Sequence, residues 1–246
     1  LEEEIENLKV VAEKARVEEA TQEDLKSQLT KTRQSYKKLE FLLEYFYPEY
    51  VEEHINGAPL LHIETFDTNP MVITPEGLQV LDEMVFAKDW TENAKEIALL
   101  SLQLQMQAGI VLADFKTRNL TPEELLNAAR LEMIRIVSMG ITGFDTPGSL
   151  NGLDEVAVSL KSMETYLEPL LQASDEPIHN EVLDLLNEGQ KQVLSSTFDD
   201  FDRLIFIIKI ADPLYEKLTK ITNYSYPESK ITISIENKSV DKVFIL

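Results

Sequence analysis

The chain has 246 residues, 23 Lys or Arg against 44 Asp or Glu, a net charge of −21 and no cysteine. So acidic a surface repels phosphate backbones and anionic lipid headgroups, which argues against nucleic acid as a partner and leaves cations, basic proteins or plain solubility. The lack of cysteine excludes a disulfide framework, a thiolate metal site and a covalently attached c-type haem, and leaves the redox compartment open.

The first two helical patterns run from Leu1 to Ala20 and from Leu25 to Tyr47, broken near Thr21, where Thr21-x-x-Asp24 reads as a variant capping box. A mixed connection follows to Thr74, with Asn56-Gly57, Pro59 and Pro70 as turn signals and one short helix expected from Pro48 to Ile55. The third long helix is expected to start at Thr74, the fourth near Thr91, and the fifth at Thr121-Pro122-x-Glu124, a full capping box with Pro at the first helical position. The fourth contains the longest uncharged stretch, 97–113, which falls short of the roughly 20 apolar residues a spanning helix needs and reads as a central bundle helix. The fifth is expected to stop at Gly140, before a turn crowded with Gly143, Pro147 and Gly148. Helices then run to about Gln172, from Pro177 to Leu194 and from Phe198 to Thr219. After Tyr224, Ile231, Ile233 and Ile235 alternate with polar residues as in a strand, which must pair with another segment, fray, or belong to a longer parent. Position 1 is Leu with no basic, apolar segment before it, which reads as a processed or trimmed product.

Two stretches are nearly alike. Thr74-Pro75-x-x-Leu78-Gln79-x-Leu81-Asp82-Glu83 returns as Thr146-Pro147-x-x-Leu150-Asn151-x-Leu153-Asp154-Glu155, with one constant offset. A second echo, Leu39-Glu40-Phe41 and Leu131-Glu132-Met133, sits on the helix before each copy, its longer offset matching an insertion at 48–67. The expected fold is therefore all-α: a two-lobed helical bundle from an internal duplication, with lobes 1–120 and 121–224 and a short extended tail, 225–246.

At about 100° per residue, Asp82 lies about 40° from Leu78 and Glu83 about 140° away, so Asp82 is expected near the buried side and Glu83 in water. The same reckoning puts Asp154 inside and Glu155 outside in the second copy, with Gln79 and Asn151 on the flank of each aspartate. Two inward aspartates facing each other between lobes could chelate a hard cation or share a proton, but the first expectation is that they cap neighbouring helix ends or pair with an arginine. Arg135, in so apolar a helix, needs a carboxylate, and Glu132, Asp82 or Asp154 could supply it. Glu40 and the Asp202-Arg203 pair pose the same question. The histidines, His54, His62 and His179, make no His-Glu-x-x-His pattern, and there is no phosphate-binding glycine loop or nucleophile elbow. A hydrolase using Asp82 or Glu83 as base has only the existence of those carboxylates in its favour.

Along Pro75-Glu76-Gly77-Leu78-Gln79-Val80-Leu81-Asp82-Glu83 the chain resembles the imelysin-like family, helical proteins of the bacterial envelope linked to iron, whose signature is Gly-x-His-x-x-Glu. Gly77, Gln79 and Asp82 align with it, with an amide for the imidazole and a shorter acid for the glutamate. A closer likeness is to the N-terminal helical region that precedes the dihaem domain in some cytochrome c peroxidase-like envelope proteins. It is carried by 36–41, 56–60, 75–79, 129–135, 140–147 and 198–203, over about residues 30 to 215. Such proteins continue into Cys-x-x-Cys-His motifs; this chain has none, so peroxidase activity is not carried over. The resemblance implies a non-enzymatic periplasmic or envelope module that docks a partner protein or haem domain. Its alternative is a module binding iron or another cation through Gln79, Asp82 and Asp154, with Glu40, Glu132, Arg135 and Asn151 completing a polar centre.

Overall fold

The computed structural model describes residues 1–60, 62–64, 71–172, 177–222, 233–234 and 244–245. The described chain is all-α, with minor strand pairing. It divides into two compact units that interleave along the sequence. The first comprises Leu1–Tyr36, Tyr47–Val111 and Asp145–Leu150; the second comprises Lys37–Phe46, Leu112–Phe144 and Asn151–Leu246. These are not the successive halves expected from the repeat. The reason is local: Glu40–Phe46, early in the chain, packs with Pro122–Arg135, and the turn 145–150, late in the chain, closes on Asp82.

In the first unit, α1 (Glu2–Arg16) buries Ile5, Leu8, Ala12 and Ala15, the spacing of one helix face. Helix α2 (Gln22–Lys37) begins at the expected Thr21–Asp24 box, where the Asp24 carboxylate accepts from the Thr21 amide at 2.9 Å and the Thr21 hydroxyl accepts from the Asp24 amide at 3.2 Å. It ends at Lys37, and Glu40–Phe46 is a separate helix in place of the expected continuous run to Tyr47. A short helix α4 (Pro48–Tyr50) runs into a π-helical turn, Val51–Ile55, and β1 (His62–Glu64) pairs antiparallel with β2 (Met71–Ile73). Helix α5 spans Leu78–Phe86, and α6 spans Ala94–Phe115. The first copy of the repeat thus starts its helix at Leu78 instead of Thr74. Gly77 has φ +107°, a backbone region essentially restricted to glycine, and bridges Asn56, so the chain turns sharply before it can coil. A Cβ at Gly77 would lie 2.7 Å from the Ile55 carbonyl oxygen. At the other end of α5, the Gln22 amide donates to the Val85 and Ala87 carbonyls at 2.8 and 2.9 Å, satisfying acceptors that the last helical turn leaves open.

Helix α6 is apolar on opposite sides. Ile97, Leu100, Leu104, Ala108 and Val111 are buried, whereas Leu99, Leu102, Met106 and Ile110 are exposed. By length and composition α6 is the one helix among the described residues apolar enough to cross a membrane, a test that core helices also pass, and its buried side packs in the core as expected of a bundle helix.

The second unit holds α3 (Glu40–Phe46), α7 (Pro122–Arg135), α8 (Gly152–Gln172), α9 (Pro177–Leu194), α10 (Arg203–Phe206) and α11 (Asp212–Thr222). Helix α7 opens with the expected reciprocal Thr121–Glu124 capping box and passes into a π-helical turn that ends at Gly140. The helix expected from Phe198 starts later, at Arg203, because the Asp202 carboxylate accepts from the Ile205 amide at 2.9 Å and caps it there. Strand β3 (Asn119–Leu120) pairs antiparallel with β4 (Ile233–Ser234), which pairs with β5 (Phe244–Ile245). The rest of the expected tail strand, including Ile231 and Ile235, lies outside the described residues.

The second copy of the repeat does not repeat the first. Leu150 has φ +57°, a left-handed conformation, and α8 begins only at Gly152. Leu150 is therefore not in the helical frame of Asp154, and an angle counted from it loses its meaning. Asp154 is exposed, and Glu155 is buried at 4% exposure, the reverse of the expectation. In the first copy, where Leu78 is helical, Asp82 is buried and Glu83 exposed as expected.

Candidate functional site

Each unit contains its own buried polar cluster. In the first, Asp145 is the hub. The Arg33 guanidinium donates to the Asp145 carbonyl at 2.7 Å and lies 3.8 Å from its carboxylate, both side chains 1% exposed. The Asn56 and Gln79 amides donate to Asp145 Oδ1 at 2.8 and 3.0 Å, and Gln79 also donates to the Asn56 carbonyl at 2.9 Å. One helical turn after Gln79, Asp82 Oδ2 accepts from the Gly148 and Ser149 amides at 2.8 and 2.9 Å. Position 148 must be glycine because a Cβ there would strike the Asp82 carbonyl. Among the described residues, three buried oxygens of this unit have no hydrogen-bond partner: Asp82 Oδ1, Asn56 Oδ1 and Thr146 Oγ1. Nearby in the chain, His54 Nδ1 lies 2.6 Å from the Glu76 carboxylate.

The second cluster is built from charges. Lys37 lies 2.6 Å from Glu40 and 3.8 Å from Glu155, and Arg135 lies 2.9 Å from Glu44 and 3.3 Å from Glu40. Ser159 donates to Glu40 Oε2 at 3.4 Å. Glu132 is fully buried and hydrogen-bonded to Glu40; burial first, then the Glu40 charge, hold its acid well above the usual carboxylate range, against the opposing pull of Lys37 and Arg135. The same surroundings favour the neutral acid of Glu132 over its carboxylate.

The structure thus brings Gln79 and Asp82 onto one helix in the first unit, and Glu40, Glu132 and Arg135 together in the second. Arg135 is answered by Glu40 and Glu44, not by Asp82 or Asp154. Asp154 belongs to the second unit and is exposed, so it adds no buried ligand to Gln79 and Asp82. Asn151 is half-buried just before α8, its carbonyl accepting from the Glu155 amide at 3.1 Å. No grouping of three or more His, Asp or Glu side chains suited to a metal ion exists among the described residues. Arg203 donates to the Ile141 and Phe198 carbonyls at 2.7 and 3.0 Å, with its guanidinium 4.5 Å from the Phe198 ring centroid.

Sequence reasoning passed over Arg33, Lys37, Glu44 and Asp145 as site residues, read Asn56 only as a turn signal, and placed Glu155 in water. Lys37 had a signal, three residues before Glu40 on a helical spacing. Arg33 had none, since an arginine among Thr, Lys and Gln reads as a solvated face. The sequence matches no protein-family model and no curated protein significantly.

Proposed function

We propose that this chain is a non-enzymatic, imelysin-like helical module of the bacterial envelope that works by docking a partner protein or redox domain. The observation that carries the reading is the exposed face of α6. Leu99, Leu102, Met106 and Ile110 are 54%, 42%, 64% and 61% exposed and lie within about 80° of one another around the helix. Solvent-facing apolar side chains in a continuous row are the usual mark of an interaction surface.

A photo-crosslinking amino acid at position 106, in the native cell envelope, tests this. A discrete adduct from that position and none from Glu188, exposed on α9, is the expected result. No adduct from positions 99, 102, 106 or 110 overturns the reading.

A second reading, cation binding, has in its favour that the buried oxygens of Asp82, Asn56 and Thr146 lack a hydrogen-bond partner among the described residues, each a hard oxygen of the type calcium or a similar ion takes. Metal analysis of protein purified without chelator, followed by calorimetric titration of iron, calcium and zinc, separates the two. A stoichiometric ion or a saturable heat that Asp82→Ala abolishes supports the cation; no ion and no heat removes it.

A further inference from the structure

We infer that the α6 face receives a basic amphipathic helix of its partner, apolar along one side and carrying Lys or Arg where it meets Glu2, Glu3 and Glu6. The inference rests on the docking reading and adds the chemistry of the occupant. Beside the apolar row lies a cleft of about 380 Å³ lined by Glu2, Glu3, Ile5 and Glu6 of α1 and by Gln105, Ala108 and Gly109 of α6. Gly109 lies about 20° from Leu102 around the helix, at the edge of the row, and a Cβ built there meets nothing within 4 Å, so a second backbone can approach closely there.

The apolar row runs for about 17 Å at 1.5 Å per residue, long enough for about three helical turns of a partner. An amphipathic helix laid along such a row anchors at positions three and four residues apart. The charge beside it selects the sign of the partner. Glu2 and Glu3 are exposed and Glu6 is half-buried, receiving a hydrogen bond from Gln105 and an ion pair from Lys9 at 2.6 Å. A helix presenting basic residues at this end gains both contact and attraction, whereas a second copy of a chain of net charge −21 brings like charge to like. A bilayer is disfavoured by the opposite side of α6, where Ile97, Leu100, Leu104 and Ala108 are already committed to the core.

The test uses the full chain and a synthetic Leu/Lys amphipathic helix of about 18 residues, five turns. Controls are a scrambled peptide of the same composition and a Leu/Glu counterpart, all read by fluorescence anisotropy. The expected result is binding of the Leu/Lys helix alone, weakened at least about tenfold both by Glu2→Gln/Glu3→Gln/Glu6→Gln and by Leu102→Ser/Met106→Ser. Circular dichroism of each variant confirms that these surface changes leave the fold intact. Equal binding of the scrambled peptide, or no effect of removing the three glutamates, overturns the inference. So does sedimentation showing a dimer that Leu102→Ser/Met106→Ser dissociates, or flotation with phosphatidylglycerol vesicles lost in that variant. If the crosslink from position 106 persists while the peptides show no preference for positive charge, docking stands and the basic helix falls; without the crosslink, docking itself falls.

Discussion

The two buried clusters handle excess negative charge by different means. In the first unit, a single guanidinium and a set of neutral donors, the Asn56 and Gln79 amides and the Gly148 and Ser149 backbone N–H groups, surround Asp145 and Asp82. In the second, Lys37 and Arg135 face four glutamates, Glu40, Glu44, Glu132 and Glu155, and burial beside Glu40 pushes the Glu132 acid well above the usual carboxylate range. The first cluster is a positional device, holding a turn against α5 through fixed dipoles, and the second is a charge network in which one buried carboxyl, Glu132, favours its neutral form.

The largest effect should come from removing the cation of the first cluster. Arg33→Met leaves Asp145 buried without its guanidinium and should cost about 3–5 kcal/mol in urea unfolding. Arg135→Met should cost less, because its side chain is 22% exposed and Lys37 still answers Glu40. Equal losses would erase the contrast between the units.

Next, the two copies of the repeat should separate under substitution. Asp82→Ala strips the acceptor from two turn amides and should cost about 3 kcal/mol. Asp154→Ala, at an exposed position in the first turn of α8, should cost under about 1 kcal/mol, the helix-dipole contribution. Thermal melts of the pair at one pH decide this, and similar losses would restore an equivalence that the backbone denies.

The third effect is smaller and depends on pH. Because the Glu132 acid is held above its unfolded value, the native state binds the proton more tightly. Its contribution is fully present below the unfolded pKa and is lost as pH rises from there through the raised native pKa. Glu132→Gln keeps the neutral form throughout, so its stability relative to the parent should improve across that window by about 1.4 kcal/mol for each unit of upward shift. Melting both proteins from acid to neutral pH checks the sign; a difference that is flat, or that falls with pH, contradicts a raised Glu132 acid. Smallest of all, Glu83→Gln should change stability by less than about 0.5 kcal/mol, since Glu83 is exposed.

Much of the helical layout was legible because its signals are local. Thr121 and Glu124 cap one another wherever the helix sits, and the bounds of α9 and the break at Thr21 follow from residues within one turn. The inward placement of Asp82 was legible for the same reason: Leu78, Leu81 and Asp82 share one uninterrupted helix. The reading failed for Asp154, where a matching string of residues concealed an unmatched backbone. One left-handed residue, Leu150, shifts the start of α8 and turns Glu155 inward instead.

Composition, periodicity and capping chemistry by themselves determined the all-α class, most helix bounds and the buried side of α5, because each depends on neighbours within a few positions. Tertiary structure alone decided that Arg33 and Asp145 meet, that Glu40 and Glu132 are buried against each other, and that one side of α6 is left in solvent. Those outcomes depend on which segments pack together, and the free energy of burying a charge is set by partners far away in the chain.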